Sequence, residues 1–92
     1  MSRVVWKYPL VPDGPDWSTT VIVPGPDFAK ALCVGGQDGG LLVWVEVTPG
    51  LGVGPLRLLV RGTGHDFTGQ ERRYVGTAFV GPFVWHVYEA AP

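Results

Sequence analysis

The chain reads as an all-β protein, and three observations carry that reading. Fourteen glycines and nine prolines punctuate 92 residues, too often for long helices. Between them lie short runs rich in valine, leucine and aromatic residues, the types that fit a pleated, half-buried surface. Asp38-Gly39 stands between two apolar runs, the strongest short-range hairpin signal. Together they predict one compact domain over residues 1–92, with about six to seven short, mainly antiparallel strands, arranged as a sandwich or a partly open barrel.

The first strand is expected over residues 3–8. Val4, Trp6 and Tyr8 alternate there with Arg3, Val5 and Lys7, which gives one more polar face. Pro9 is expected to stop it, because proline cannot donate to a ladder. Residues 11–16 read as a loop, residues 18–23 as a short β-branched strand, and Pro24-Gly25-Pro26 as its end. A single helical turn with Asp27 as cap is expected over 27–31.

Residues 30–36 and 40–48 form the hairpin around Asp38-Gly39. Both faces of the second strand are mostly apolar, which places it centrally in its sheet. Residues 49–55 read as a pliable glycine-rich loop suited to packing on the core or lining a partner. A strand is expected over 56–62, a turn-rich loop over 63–70 and a strand over 73–80, with Gly76 marking a bulge or close approach. Gly81-Pro82 turns the chain into a last strand over 83–89.

Composition bounds the function. A chain this short hides only about 60–65% of its unfolded surface, yet 46% of its residues are hydrophobic and 16% charged. Burial of the excess in a homo-oligomer is the simplest expectation. The net charge is −1 with no run of like charge, which excludes a basic footprint for duplex nucleic acid. The only local basic bias is Arg57, Arg61, Arg72 and Arg73. A single cysteine, Cys33, excludes an internal disulfide and fits a reducing compartment. No secretory signal is expected, since no positively charged segment followed by an apolar one opens the sequence. Its longest apolar run, residues 41–45, is far below the ~20 residues of a membrane span. A cytoplasmic protein is expected.

Candidate chemistry concentrates in the C-terminal third. Gly62-Thr63-Gly64-His65 has two readings. In one, it is an anion-binding nest of backbone N–H groups, with Arg61, Arg72 and Arg73 supplying charge. In the other, it is a turn that needs positive φ at Gly62 or Gly64. In the last strand Trp85, Val87 and Glu89 share one face and Val84, His86 and Tyr88 the other. Trp85 suits the core or a base-stacking platform, and His86 suits hydrogen bonding, stacking or titration near neutral pH. The ligand-binding candidates are therefore Arg61, Thr63, Gly64, His65, Arg72, Arg73, Trp85 and His86.

No catalytic set is expected. His65 and His86 lack a partner at metal-ligand spacing. Cys33 lies in an apolar strand, where a buried inert thiol is the rule. Nothing in the spacing of Asp66, Glu71 and Glu89 selects an acid–base pair. Neither metal nor cofactor is implied, and the chain is expected not to be an enzyme.

Seven blocks occur in order: Trp6-Lys7-Tyr8-Pro9-Leu10; Ala31-Leu32 with Val34; Gln37-Asp38-Gly39; Leu41 with Trp44 and Val47; Gly62-Thr63-Gly64-His65; Tyr74 with Gly76-Thr77; and Val84-Trp85-His86-Val87-Tyr88-Glu89. This set resembles a family of small uncharacterised bacteriophage and prophage proteins over nearly the whole chain. The resemblance implies an accessory protein acting in the host cytoplasm. The expected function is an oligomeric module that sequesters a small anionic, nucleotide-like ligand as an anti-defence factor. The alternative is an interaction or structural module for a host or virion protein.

Overall fold

The structure, a computed structural model, describes residues 2–13 and 16–91. Gly14 and Pro15 of the expected 11–16 loop lie outside the described residues. Seven strands follow one another: β1 (Val4–Leu10), β2 (Ser18–Pro24), β3 (Lys30–Gln37), β4 (Gly40–Val47), β5 (Val53–Gly62), β6 (Glu71–Val80) and β7 (Phe83–Ala90). They form two antiparallel sheets, β1-β4-β3 and β2-β5-β7-β6, packed face to face without closing into a barrel.

Period-two alternation builds the core. Leu41, Val43, Val45 and Val47 of β4 point inward against Val21 and Val23 of β2, Leu58 and Val60 of β5, and Val87 of β7. The central place of β4 follows from its two apolar faces, since it is paired on both edges. Asp38 and Gly39 both take positive φ, 54° and 78°, as the hairpin turn between right-twisted strands requires.

The sheets meet along β3 and β6. Gly36 makes the approach feasible: a Cβ there would stand 2.5 Å from the carbonyl oxygen of Phe79. Gly76 fulfils both expectations made of it. The β6–β7 register shifts between Tyr74 and Gly76, and a Cβ on Gly76 would lie 3.2 Å from Cγ2 of Val34.

Several boundaries differ from expectation. β1 runs through Pro9, because β1 is an edge strand and a missing N–H on the open side breaks no ladder bond. Val53 to Pro55 belong to β5, paired with Pro24, Val23 and Ile22, so the glycine-rich loop is shorter than its composition suggests. Residues 25–29 make turns rather than a helix, with Phe28 N–H donating to Gly25 O and Ala29 N–H to Pro26 O. Cys33 is exposed. A bulge between Ala31 and Cys33 puts Ala31 inward and turns Cys33 out, opposite Trp44. No helix among the described residues is long and apolar enough to cross a membrane.

Candidate functional site

The β5–β6 connection positions the site. Both strands run antiparallel to β7, so they are parallel to each other with β7 between them. The chain leaves β5 where Gly62 faces Trp85 and enters β6 where Glu71 faces Ala90. Residues 63–70 must therefore travel back along β7, and they do so over its outward residues. Thr63 Oγ1 lies 3.0 Å from His86 Nε2. Phe67 packs edge-on against Tyr88, with ring centroids 5.1 Å apart.

Arg61 lies under this crossover. It and Glu71 are each only 4% exposed at the side chain, with Nε donating to Glu71 Oε2 at 2.8 Å. Its other nitrogens donate to the carbonyls of Asp16 and Val60 and to Thr68 Oγ1. Four of the five guanidinium N–H donors are committed to protein acceptors in a buried side chain, which anchors the crossover to β5. Glu71 also accepts from the N–H groups of Thr68 and Gly69. Burial alone would raise its pKa. The backbone N–H donors, led by Thr68, and then Arg61 outweigh burial and hold the carboxyl at about 2 against an ordinary 4.5.

That depression fixes a pH dependence. The folded pKa lies below the unfolded one, so the stabilisation is complete above about pH 4.5 and is lost as pH falls toward 2. Acid titration of the unfolding free energy should show about 3 kcal/mol lost across that window. Glu71→Gln should flatten that part of the curve; an unchanged acid limb would show that Glu71 is not its source.

Arg73 is also committed. Its Nη2 donates to Glu89 Oε2 at 2.7 Å and to Ala31 O at 2.5 Å, while Ala31 N–H donates to Glu89 Oε2 at 2.8 Å. The ion pair thus replaces the missing neighbour strand at the outer edge of β3 and ties the two sheets together. Arg3 and Arg57 are paired with Glu46 and Asp16. Arg72, extruded at the bulge between Glu71 and Arg73, is exposed and is the one arginine without a hydrogen bond or ion pair among the described residues.

The Gly62–His65 turn closes on itself. His65 N–H donates to Gly62 O and Gly62 N–H to His65 Nδ1, both at 3.0 Å. Gly64 takes φ 92°, as the third residue of a type II turn does. Gly62 is needed for room instead, since a Cβ would stand 3.0 Å from the His65 ring. Two of its four N–H groups are thus used internally, and the segment takes the form of the positive-φ turn.

The turn sends its side chains to opposite faces. His65 goes to the inner end and begins an aromatic series: Trp17 at 5.5 Å, Trp85 at 5.2 Å from Trp17, and Phe83 stacked 5.6 Å from Trp85. Trp85 is packed against the core. A cavity of about 380 Å³ beside it is lined by Asp16, Trp17, Arg61, Gly64, His65, Asp66 and Thr68. Of its charged lining residues, Arg61 is neutralised by Glu71 and Asp16 by Arg57, both outside the lining, which leaves Asp66 as the unpaired charge, the wrong sign for an anion.

Thr63 goes to the outer face and joins a chain of hydrogen bonds. His86 Nε2 meets Thr63 Oγ1, His86 Nδ1 meets Thr77 Oγ1 at 2.9 Å, and Thr77 Oγ1 meets the Tyr74 hydroxyl at 2.5 Å. Tyr74 is 53% exposed and Phe79 73%; alternation puts Phe79 on this face with Thr77, and the bulge between Tyr74 and Gly76 brings Tyr74, paired with Tyr88, to the same side. Hydroxyl rotation and the two imidazole tautomers give the neutral chain two polarities. In one, Thr63 keeps a free O–H donor; in the other, Tyr74 does. A base–hydroxyl pair is present in geometry. No carboxylate orients the imidazole, since both ring nitrogens face hydroxyls, so the arrangement suits recognition better than nucleophilic attack.

The structure therefore divides the predicted residues. Thr63 and His86 meet on the outer face, where Tyr74, Thr77 and Phe79 join them. Gly64, His65 and Trp85 lie at the inner end with Trp17. Arg61 and Arg73 hold the fold, and Arg72 stands at the β6 edge. Thr77 had a legible signal, since pairing β6 with β7 sets it opposite His86; Tyr74 joins it only through the bulge before Gly76, because residues 74 and 77 of an unbroken strand point to opposite faces. Trp17 had none, because it meets Trp85 only through the order of the four-stranded sheet. Among the described residues no group of three His, Cys, Asp or Glu side chains could hold a metal ion.

Fold and site together define a small two-sheet all-β protein with an open polar-aromatic sheet face. The chain belongs to the family described as Domain of unknown function (DUF7352), whose profile matches residues 1–92. No curated protein and no solved structure matches it.

Proposed function

We propose that the chain is a non-catalytic phage accessory protein that sequesters a small anionic, nucleotide-like ligand on the outer face of its four-stranded sheet. It would act as an oligomer in the host cytoplasm, against a nucleotide-signalled defence. The observation that carries this reading is the Thr63–His86–Thr77–Tyr74 hydrogen-bond chain lying open on an aromatic face. A nucleobase offers the matching chemistry: donors and acceptors on its edge, and a π-face that stacks on exposed tyrosine and phenylalanine at about 1–3 kcal/mol per base. Arg72, two residues before Tyr74, supplies the charge for a phosphate.

Titration of the purified protein with cyclic di- and trinucleotides tests it. Binding is expected, with His86→Ala and Thr77→Val each weakening it roughly tenfold or more, the worth of one lost hydrogen bond to a buried ligand group. Folding should be retained in both, because these side chains are exposed or half-buried. No binding, or wild-type affinity in His86→Ala, would sink the assignment.

The second reading, a module for a host or virion protein, is favoured by Phe28 and Val53, 69% and 72% exposed. Phe28 and Leu51 line a surface cavity of about 410 Å³. Stoichiometric recovery of one host or virion protein, lost in Phe28→Ser, would favour it.

A further inference from the structure

Strand β1 carries apolar side chains on the core-facing side without being covered. Val4, Trp6 and Tyr8 lie opposite Val47, Val45 and Val43, which are buried, yet Val4 is 38% and Trp6 44% exposed. β3 packs closely on β6, whereas β1 touches the opposing sheet only lightly, at its edge strand β2, which leaves the Val4–Trp6 part of its inner face uncovered. On the other face Val5 is 52% exposed.

The hydrogen-bond parity of β1 follows from the far edge of the same sheet. Ala31 gives its N–H to Glu89 and its C=O to Arg73, so both groups point away from β4. Ala31 faces Val45; Val45 must then direct its own groups to β1, where it faces Trp6. By alternation Val4, Trp6 and Tyr8 bond to β4, and Val5, Lys7 and Pro9 present their backbone to the open edge. That edge offers a donor and an acceptor at Val5 and at Lys7, and an acceptor alone at Pro9.

We propose that this edge pairs antiparallel with β1 of a second copy about a two-fold axis, in the register that sets Val5 against the partner's Lys7. Among the three symmetric registers centred on Val5, Trp6 and Lys7, charge selects this one. Setting Lys7 on Lys7 opposes like charges, and setting Val5 on Val5 puts Arg3 against Lys7. In the selected register each Val5–Lys7 pair exchanges both backbone hydrogen bonds, and Arg3 lies opposite Pro9. The partner's Lys7 then lies in one cross-strand row with Val5 and Glu46. At about 4.8 Å per strand, its ammonium and the Glu46 carboxylate come within joint reach. Trp6 falls on the axis as a non-hydrogen-bonded pair, the closest kind of cross-strand neighbour, and Val4 is set against the partner's Tyr8. The exposed inner face of β1 is thereby covered by its own copy, in a continuous sheet β3-β4-β1-β1-β4-β3.

Sedimentation of the full chain should give a dimer. Val5→Pro removes an N–H only from the open edge, so it should yield a folded monomer at concentrations where the parent is dimeric. In a Cys33→Ser background, Trp6→Cys should cross-link to itself on mild oxidation, at a Cα separation of about 4.5 Å that a disulfide spans. Val5→Cys should not, because its opposite residue is Lys7. If Val5→Pro fails to fold, the cross-linking pattern decides. A monomeric parent, association that persists in folded Val5→Pro, or faster self-cross-linking at position 5 than at 6 each overturns the proposal.

Discussion

Replacing Arg61 with methionine is expected to destabilise the protein by about 3–5 kcal/mol, the usual loss when one partner of a buried ion pair is removed. Both side chains are 4% exposed, so Glu71 would be left charged or forced to protonate with two carbonyls and a hydroxyl stripped of their donor. A domain of this size holds only about 5–14 kcal/mol in total, at roughly 0.05–0.15 kcal/mol per residue. The single variant should therefore unfold at much lower urea. The double variant Arg61→Met with Glu71→Leu should recover a large part of the loss, because an apolar pair of similar volume leaves no buried charge. A single-variant loss below about 1 kcal/mol, the range of an exposed pair, would show that the 63–70 crossover opens to water.

Gly36→Val is expected to cost about 1–3 kcal/mol or more, as overpacking at a fixed contact does. The obstacle is backbone: the Phe79 carbonyl oxygen lies 2.5 Å from where the Cβ must go, with Cγ2 of Val80 at 3.3 Å. Relief requires β3 and β6 to separate, which also strains the Arg73–Glu89 clasp on Ala31. Gly52→Ala is the control, since a Cβ there meets nothing within 4 Å; it should fall within about 0.5 kcal/mol of the parent. Thermal melts would read the contrast as roughly 4–8 °C per kcal/mol for a chain this short. Equal melting temperatures for the two variants would mean that the sheets do not meet at Gly36.

Much of the fold was legible in local pattern. Alternation located all seven strands, Asp38-Gly39 announced its hairpin, and Gly76 announced its bulge. The errors fell where pairing overrides composition. Pro9 looked like a stop but sits on an open edge. Val53 to Pro55 looked like loop but pair with β2. Cys33 looked inward until the bulge at Leu32 reversed the alternation. In the site, His86 and Thr63 were identified and do meet, whereas arginines close in sequence proved to have separate structural duties.

The sequence by itself determined the all-β class, the turns, and, between bulges, which residues of each strand share a face, because these depend on the period of two and on the backbone freedom of single residues. The tertiary structure decided what depends on strand order. Placing β7 between β5 and β6 sends residues 63–70 across the outer face, which buries Arg61 with Glu71, brings Thr63 to His86, and leaves Arg72 as the unpaired arginine. Such contacts depend on which strands lie side by side in the sheet, and local periodicity carries no information about that.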